Sequence, residues 1–136
     1  MLKRHAAAPS VAVMVIDLRH HLGRVGERLA REHLERLGYR VVAANHRTRF
    51  GEIDLIVCDD TWLVFVEVKT RRAGGLESSA QAVSADKQQR VRRMACAWLV
   101  EAMDRPRSRE LRFDVVAVTV DRHSRLLRLD HIEAAF

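Results

Sequence analysis

Two apolar runs flank a pair of aspartates in GEIDLIVCDDTWLVFVEVKT, residues 51–70, and this pattern limits the fold more than any other stretch. Residues 52–58 and 62–70 read as the two strands of a core hairpin around an Asp59-Asp60 turn. Asp54, Glu67 and Lys69 interrupt the runs where a packed sheet would carry apolar side chains. An even-numbered turn centred on Asp59-Asp60 sets Asp54 opposite Phe65 and diagonal to Glu67, on the face shared by Leu63, Phe65, Glu67 and Lys69. An odd loop would send Asp54 to the other face.

Two carboxylates brought to about 4 Å repel by roughly 4 kcal/mol at an effective dielectric near 20. That is much of the roughly 5–15 kcal/mol that holds a small domain folded. Either one carboxylate takes a proton or a cation sits between them. A hard divalent ion such as Mg²⁺ suits paired carboxylates, waters and a phosphate. The plainer alternative is an ordinary Glu67–Lys69 ion pair at a strand end.

The rest of the chain supplies a setting for the hairpin. Leu22, Val25, Leu29, Leu34 and Leu37 form one helical stripe over residues 18–37, and Gly38 ends it. Residues 39–45 read as a strand, 71–83 as a glycine-containing loop, and 84–103 as a second helix with Ser84 as N-cap. Residues 111–120 form a buried strand, and 125–136 a closing strand or short helix. Residues 1–17 read as a loose N-terminal extension to a single domain, 18–136. The order α-β-β-β-α-β implies an α/β fold with one mixed sheet flanked by helices, the last strand arriving by a helical crossover.

Charge is distributed unevenly. The chain of 136 residues has a net charge of +6, yet residues 51–70 hold five acids and one lysine, leaving +10 on the remainder. An acidic island in a basic envelope suits a protein that attracts a polyanion, chiefly nucleic acid, and holds a cation within it. Arginine is the default base, with Lys3, Lys69 and Lys87 the only lysines, so Lys69 marks a place suited to a compact point charge. Cys58 and Cys96 form neither a disulfide framework nor a zinc motif, which points to a reducing cytoplasm. The apolar run from Ala6 to Ile16 is too short to span a bilayer, so no membrane partner is expected.

Two further residues border this arrangement. Glu27 lies at the edge of the first helix's apolar stripe, either near the sheet or exposed beside Arg31. Lys87 lies in the first turn of the second helix, placed either to contact phosphate or to snorkel past Trp98.

The motifs Asn45-x-Arg47-x-x-x-Gly51-Glu52-Ile53-Asp54 and Val64 to Arg71 resemble those of the YraN-like family, placed in the PD-(D/E)xK nuclease superfamily near archaeal Holliday-junction resolvases. The likeness extends through Gly23, Gly26, Glu27 and Ala30, through Ala82, Val83 and Lys87, and through Arg112 to Val116. The 71–83 loop departs from the family in lacking its aromatic-Gly pair. The resemblance implies a restriction-endonuclease-like αβββαβ core and Mg²⁺-dependent phosphodiester cleavage, with Mn²⁺ as substitute. By position, Asp54, Glu67 and the Val68 carbonyl would ligate the metal, Glu27 would complete the site, and Lys69 would orient the attacking water.

The expectation is a cytoplasmic endonuclease-like protein acting on DNA, with branched or repair intermediates as substrates. Arg47, Arg49, Arg71 and Lys87 are the expected phosphate contacts, and a twofold homodimer would suit a symmetric junction. The rival is a non-catalytic nucleic-acid-binding or adaptor protein that keeps the acidic site.

Overall fold

A computed structural model describes residues 10–74 and 83–136. In chain order the elements are α1 (Val11–Arg36), β1 (Arg40–Thr48), β2 (Gly51–Cys58), β3 (Trp62–Arg72), α2 (Ala85–Glu101), β4 (Glu110–Val120) and β5 (Leu126–Ile132). The five strands form one mixed sheet in the order β1-β2-β3-β4-β5. Only β3 and β4 are parallel. A parallel pair needs a crossover, and α2 supplies it.

Helix α1 begins at Val11 behind the Ser10 cap, whose hydroxyl accepts from the Val13 N–H at 3.3 Å. Residues 11–17 are therefore helix rather than loose extension, and residues 1–9 lie outside the described residues. The apolar stripe indicates a helix only from Leu18, because the first turns add nothing to it: Val11, Val13, Met14, Val15 and Leu18 are exposed and face no core. At the other end Gly38 takes φ +97°, and the Tyr39 N–H returns to the Leu34 carbonyl at 3.1 Å. Helix α2 starts as its sequence indicates, with the Ser84 hydroxyl accepting from the Lys87 N–H.

The sheet separates two cores. On one side Val25, Ala30 and Leu34 of α1 pack on Leu55, Val57, Val64, Val66, Val116, Val118 and Val120. On the other, Val91, Met94, Ala95 and Trp98 of α2 pack on Ile53, Ile56, Cys58, Leu63, Phe65 and Phe113. Central strands covered on both faces explain the nearly continuous apolar runs. Among the described residues no helix is long and apolar enough to cross a membrane.

The hairpin register differs from expectation by two residues. Phe65 pairs with Ile56, not Asp54, and Cys58 pairs with Leu63. The Asp59 carboxylate accepts from the N–H groups of Thr61 and Trp62, at 2.9 and 2.7 Å, which moves the turn one residue along the chain. Strand β3 also continues through Arg72, so Arg71 and Arg72 belong to the sheet rather than to a loop. Residues 75–82 of the expected loop lie outside the described residues. The closing segment is a strand, β5, paired antiparallel to β4.

Candidate metal centre

Pairing between β2 and β3 stops at Leu55–Val66, although both strands run on. Beyond that point β3 follows β4, from Glu67–Val115 to Arg72–Val120, while β2 follows β1 down to Gly51–Thr48. The sheet thus forks. Continuing the register by one step puts Asp54 across from Glu67, at the base of the fork. The Val68 N–H, left without a strand partner on that side, donates instead to Asp54 Oδ2 at 2.8 Å. A carboxylate here takes over one rung of the ladder.

The backbone around Asp54 is irregular on both neighbouring strands. Ile53 and Ile56 both belong to the α2-side core and Leu55 to the α1-side core, so the regular alternation slips at Asp54. On β1, Asn45 lies between the Ala44–Leu55 and His46–Ile53 pairs with φ +52°. A left-handed conformation is tolerated by asparagine better than by most residues. Its side chain hydrogen-bonds the Glu27 carboxylate, bringing α1 into the site.

Close helix approach places Glu27. A Cβ at Gly26 would fall 1.7 Å from Thr70 Oγ1 and 2.7 Å from Thr70 Cβ, so only glycine lets α1 lie this near β3. The next residue, Glu27, then meets Glu52 and Asp54. Ligand oxygens of these three carboxylates lie within 4.8 Å of one another.

The electrostatics record the crowding. Burial pushes the Asp54 carboxyl up to about 7, and the Glu67 charge adds to it, followed by Glu27 and Glu52; the Val68 hydrogen bond opposes the rise. Burial also raises Glu27, against its Asn45 hydrogen bond and with help from Glu52. Glu67 has a cation already: Lys87 Nζ of α2 lies 2.5 Å from its Oε1. The set is all oxygen, as hard cations require. Its oxygens lie within 4.8 Å of one another, against roughly 4.2 Å across an octahedral Mg²⁺ site, so the donor set suits a hard divalent ion.

The expected site residues therefore divide. Asp54 and Glu27 come together directly, and Glu67 acts on Asp54 through its charge. Val68 meets Asp54 through its N–H. Lys69 is half-buried on β3, two residues beyond Glu67. Among the expected phosphate contacts, Lys87 pairs with Glu67, Arg71 Nε donates to Thr119 Oγ1 at 3.2 Å, and Arg47 lies 3.5 Å from Glu52. The Arg49 guanidinium stands 4.7 Å from the Phe50 ring centroid. Sequence reasoning counted Glu52 among the acids but assigned it no role. Its spacing of two from Asp54 on one strand was the available signal. Asn45 gave no comparable signal, because its contact depends on α1 packing.

Residues 26–118 match the model of the family described as "Uncharacterised protein family UPF0102". A "UPF0102 protein" of Rhodococcus opacus is 45% identical over 115 residues, covering 85% of this chain and 95% of that protein. One from Pelotomaculum thermopropionicum is 41% identical over 120 residues, covering 88% and 98%. One from Corynebacterium efficiens is 48% identical over 113 residues, covering 82% and 88%.

Proposed function

We propose that this chain, which belongs to the uncharacterised protein family UPF0102, is a cytoplasmic Mg²⁺-dependent nuclease-like protein that cleaves phosphodiester bonds in DNA, branched and repair intermediates included. One observation carries the reading: the sheet forks at a point where Glu27, Glu52 and Asp54 converge, within the field of Glu67. Such crowding disfavours the ionised state unless a cation compensates. The sequence likeness to PD-(D/E)xK nucleases supports the same residues.

In this reading Asp54, Glu67, Glu27 and the Val68 carbonyl hold the ion, with Glu52 added to the set. Bound there, Mg²⁺ supplies a Lewis acid that acidifies a water and offsets charge on the phosphate. Lys69 orients that water and faces the phosphate. Lys87 passes from Glu67 to a phosphate oxygen, and Arg47, Arg49 and Arg71 hold neighbouring phosphates, so affinity falls as salt rises.

The Lys87–Glu67 pair favours a second reading, a non-catalytic nucleic-acid-binding adaptor in which lysine permanently takes the place of a cation. Incubation of a labelled four-way junction with Mg²⁺ or Mn²⁺ distinguishes the two. The nuclease reading expects nicking that is lost in Glu67→Ala and Lys69→Ala. Binding without nicking in either metal supports the adaptor and overturns the nuclease.

A further inference from the structure

The β1–β2 turn and the outer face of α2 enclose an open groove of about 470 Å³ that none of the candidate site residues lines. Phe50, Ala97 and Val100 make it apolar, while Gln89, Arg92 and Arg93 rim it. Val100 is 82% exposed. Arg49 adds a further cation against the Phe50 ring, and Glu101 is the one acid of the lining. A flat aromatic ring attached to negative charge matches this combination. Apolar walls take the ring, and guanidinium groups take the charge.

The position selects the ligand further. Phe50 lies in the β1–β2 turn two residues before Glu52, so their Cα atoms stand at most about 7 Å apart. One or two nucleotides along a strand span that distance. A paired base cannot enter such a groove without leaving its stack, whereas an unpaired base enters at least cost.

We propose that the groove binds one unpaired nucleobase of a DNA strand whose backbone lies at the acidic fork, with Phe50 as the stacking surface and Arg49, Arg92 and Arg93 on the flanking phosphates. This inference rests on the nuclease-like reading and names its substrate as DNA with an unpaired nucleotide beside the reacting bond. One aromatic surface serves one base, in keeping with a chain of only 5% aromatic residues.

The test compares a blunt duplex with the same duplex carrying a single bulged 2-aminopurine, both in EDTA so that neither is cut. The bulged duplex is expected to bind on the order of tenfold tighter, the scale of one base stacked on an aromatic side chain, and its fluorescence to be quenched. Val100→Trp fills the groove from an exposed position and leaves the core alone; it abolishes the preference and keeps the affinity for blunt duplex. Phe50→Leu keeps apolar volume without a flat ring and weakens the quenching. Cys96 lines the groove and is exposed, whereas Cys58 is buried, so bulged DNA should slow maleimide labelling of Cys96 more than blunt DNA does. Equal affinities, or a preference that survives Val100→Trp, overturn the groove assignment. If metal-dependent nicking persists in that case, the nuclease reading stands without it. Failure of either duplex to bind overturns the groove assignment; failure of both to bind with Ca²⁺ in place of EDTA overturns the nuclease reading as well.

Discussion

Asp54 is the residue at which folding and chemistry conflict. Its carboxyl is raised from an ordinary 3.8 to about 7, by burial first and by Glu67 next. A carboxyl raised on folding binds its proton more tightly in the folded state. Its burden on stability is therefore absent below about pH 4 and grows as pH rises through 7. Replacing it with a neutral isostere removes that burden: Asp54→Asn is expected to stabilise the metal-free protein at pH 8 by on the order of 2–4 kcal/mol, with little change at pH 4. Denaturant titrations at the two pH values check this. Mg²⁺ should raise the melting temperature of the native protein at pH 8 far more than at pH 5.5, where Asp54 holds a proton, and should not raise it in Asp54→Asn.

At the scale of elements, the seating of α1 on β3 decides whether the carboxylates meet. Gly26→Ala drives a methyl into Thr70, an overpacking that costs about 1–3 kcal/mol. Because Glu27 follows directly, the same change should weaken Mn²⁺ binding in isothermal titration even where circular dichroism shows the fold intact. A loss of stability with unchanged Mn²⁺ affinity would remove Glu27 from the site. Much of this layer could be read from the sequence: Ser84 and Gly38 marked helix ends, and the valine-rich runs marked strands buried on both faces. The hairpin register could not, since Asp59 and Asp60 are equally good turn residues and only the Asp59 hydrogen bonds to Thr61 and Trp62 choose between them. The fork was invisible for a similar reason. It arises where β2 leaves β3 but stays with β1 while β3 stays with β4, a divergence set by packing among strands distant in the chain.

Across the whole molecule, one buried cluster ties the ends together. Asp114 is fully buried; it accepts from Arg112 at 2.8 and 2.9 Å, from the Ala134 N–H at 3.1 Å, and pairs with His131 at 2.7 Å. Arg112 reaches the Tyr39 hydroxyl at 2.7 Å, and His131 contacts His33 of α1 at 3.0 Å. Burial alone would raise the Asp114 carboxyl, but these hydrogen bonds outweigh it and hold it below 3.8. Burial, with the charges of His131 and Arg36, lowers His33 below 6.5. Both shifts mean that the unfolded chain binds more protons, so stability falls as pH drops through 6.5 and again below about 4. Asp114→Asn leaves the buried Arg112 with only the exposed Glu133 carboxylate, 3.9 Å away, as counter-charge and is expected to cost about 3–5 kcal/mol, measured by urea denaturation at pH 7. A cost below 1 kcal/mol would show that Glu133 or water compensates Arg112.

The early parting of β2 from β3 has a mechanical corollary. Four paired rungs, from Leu55–Val66 to Cys58–Leu63, and the Asp54–Val68 hydrogen bond join β2 to β3, and beyond them the two strands form separate arms. Asp54 and Glu52 ride on one arm and Glu67 on the other. On the nuclease reading proposed above, an ion held between them would tie the tips together and set the span of DNA backbone that the mouth accepts.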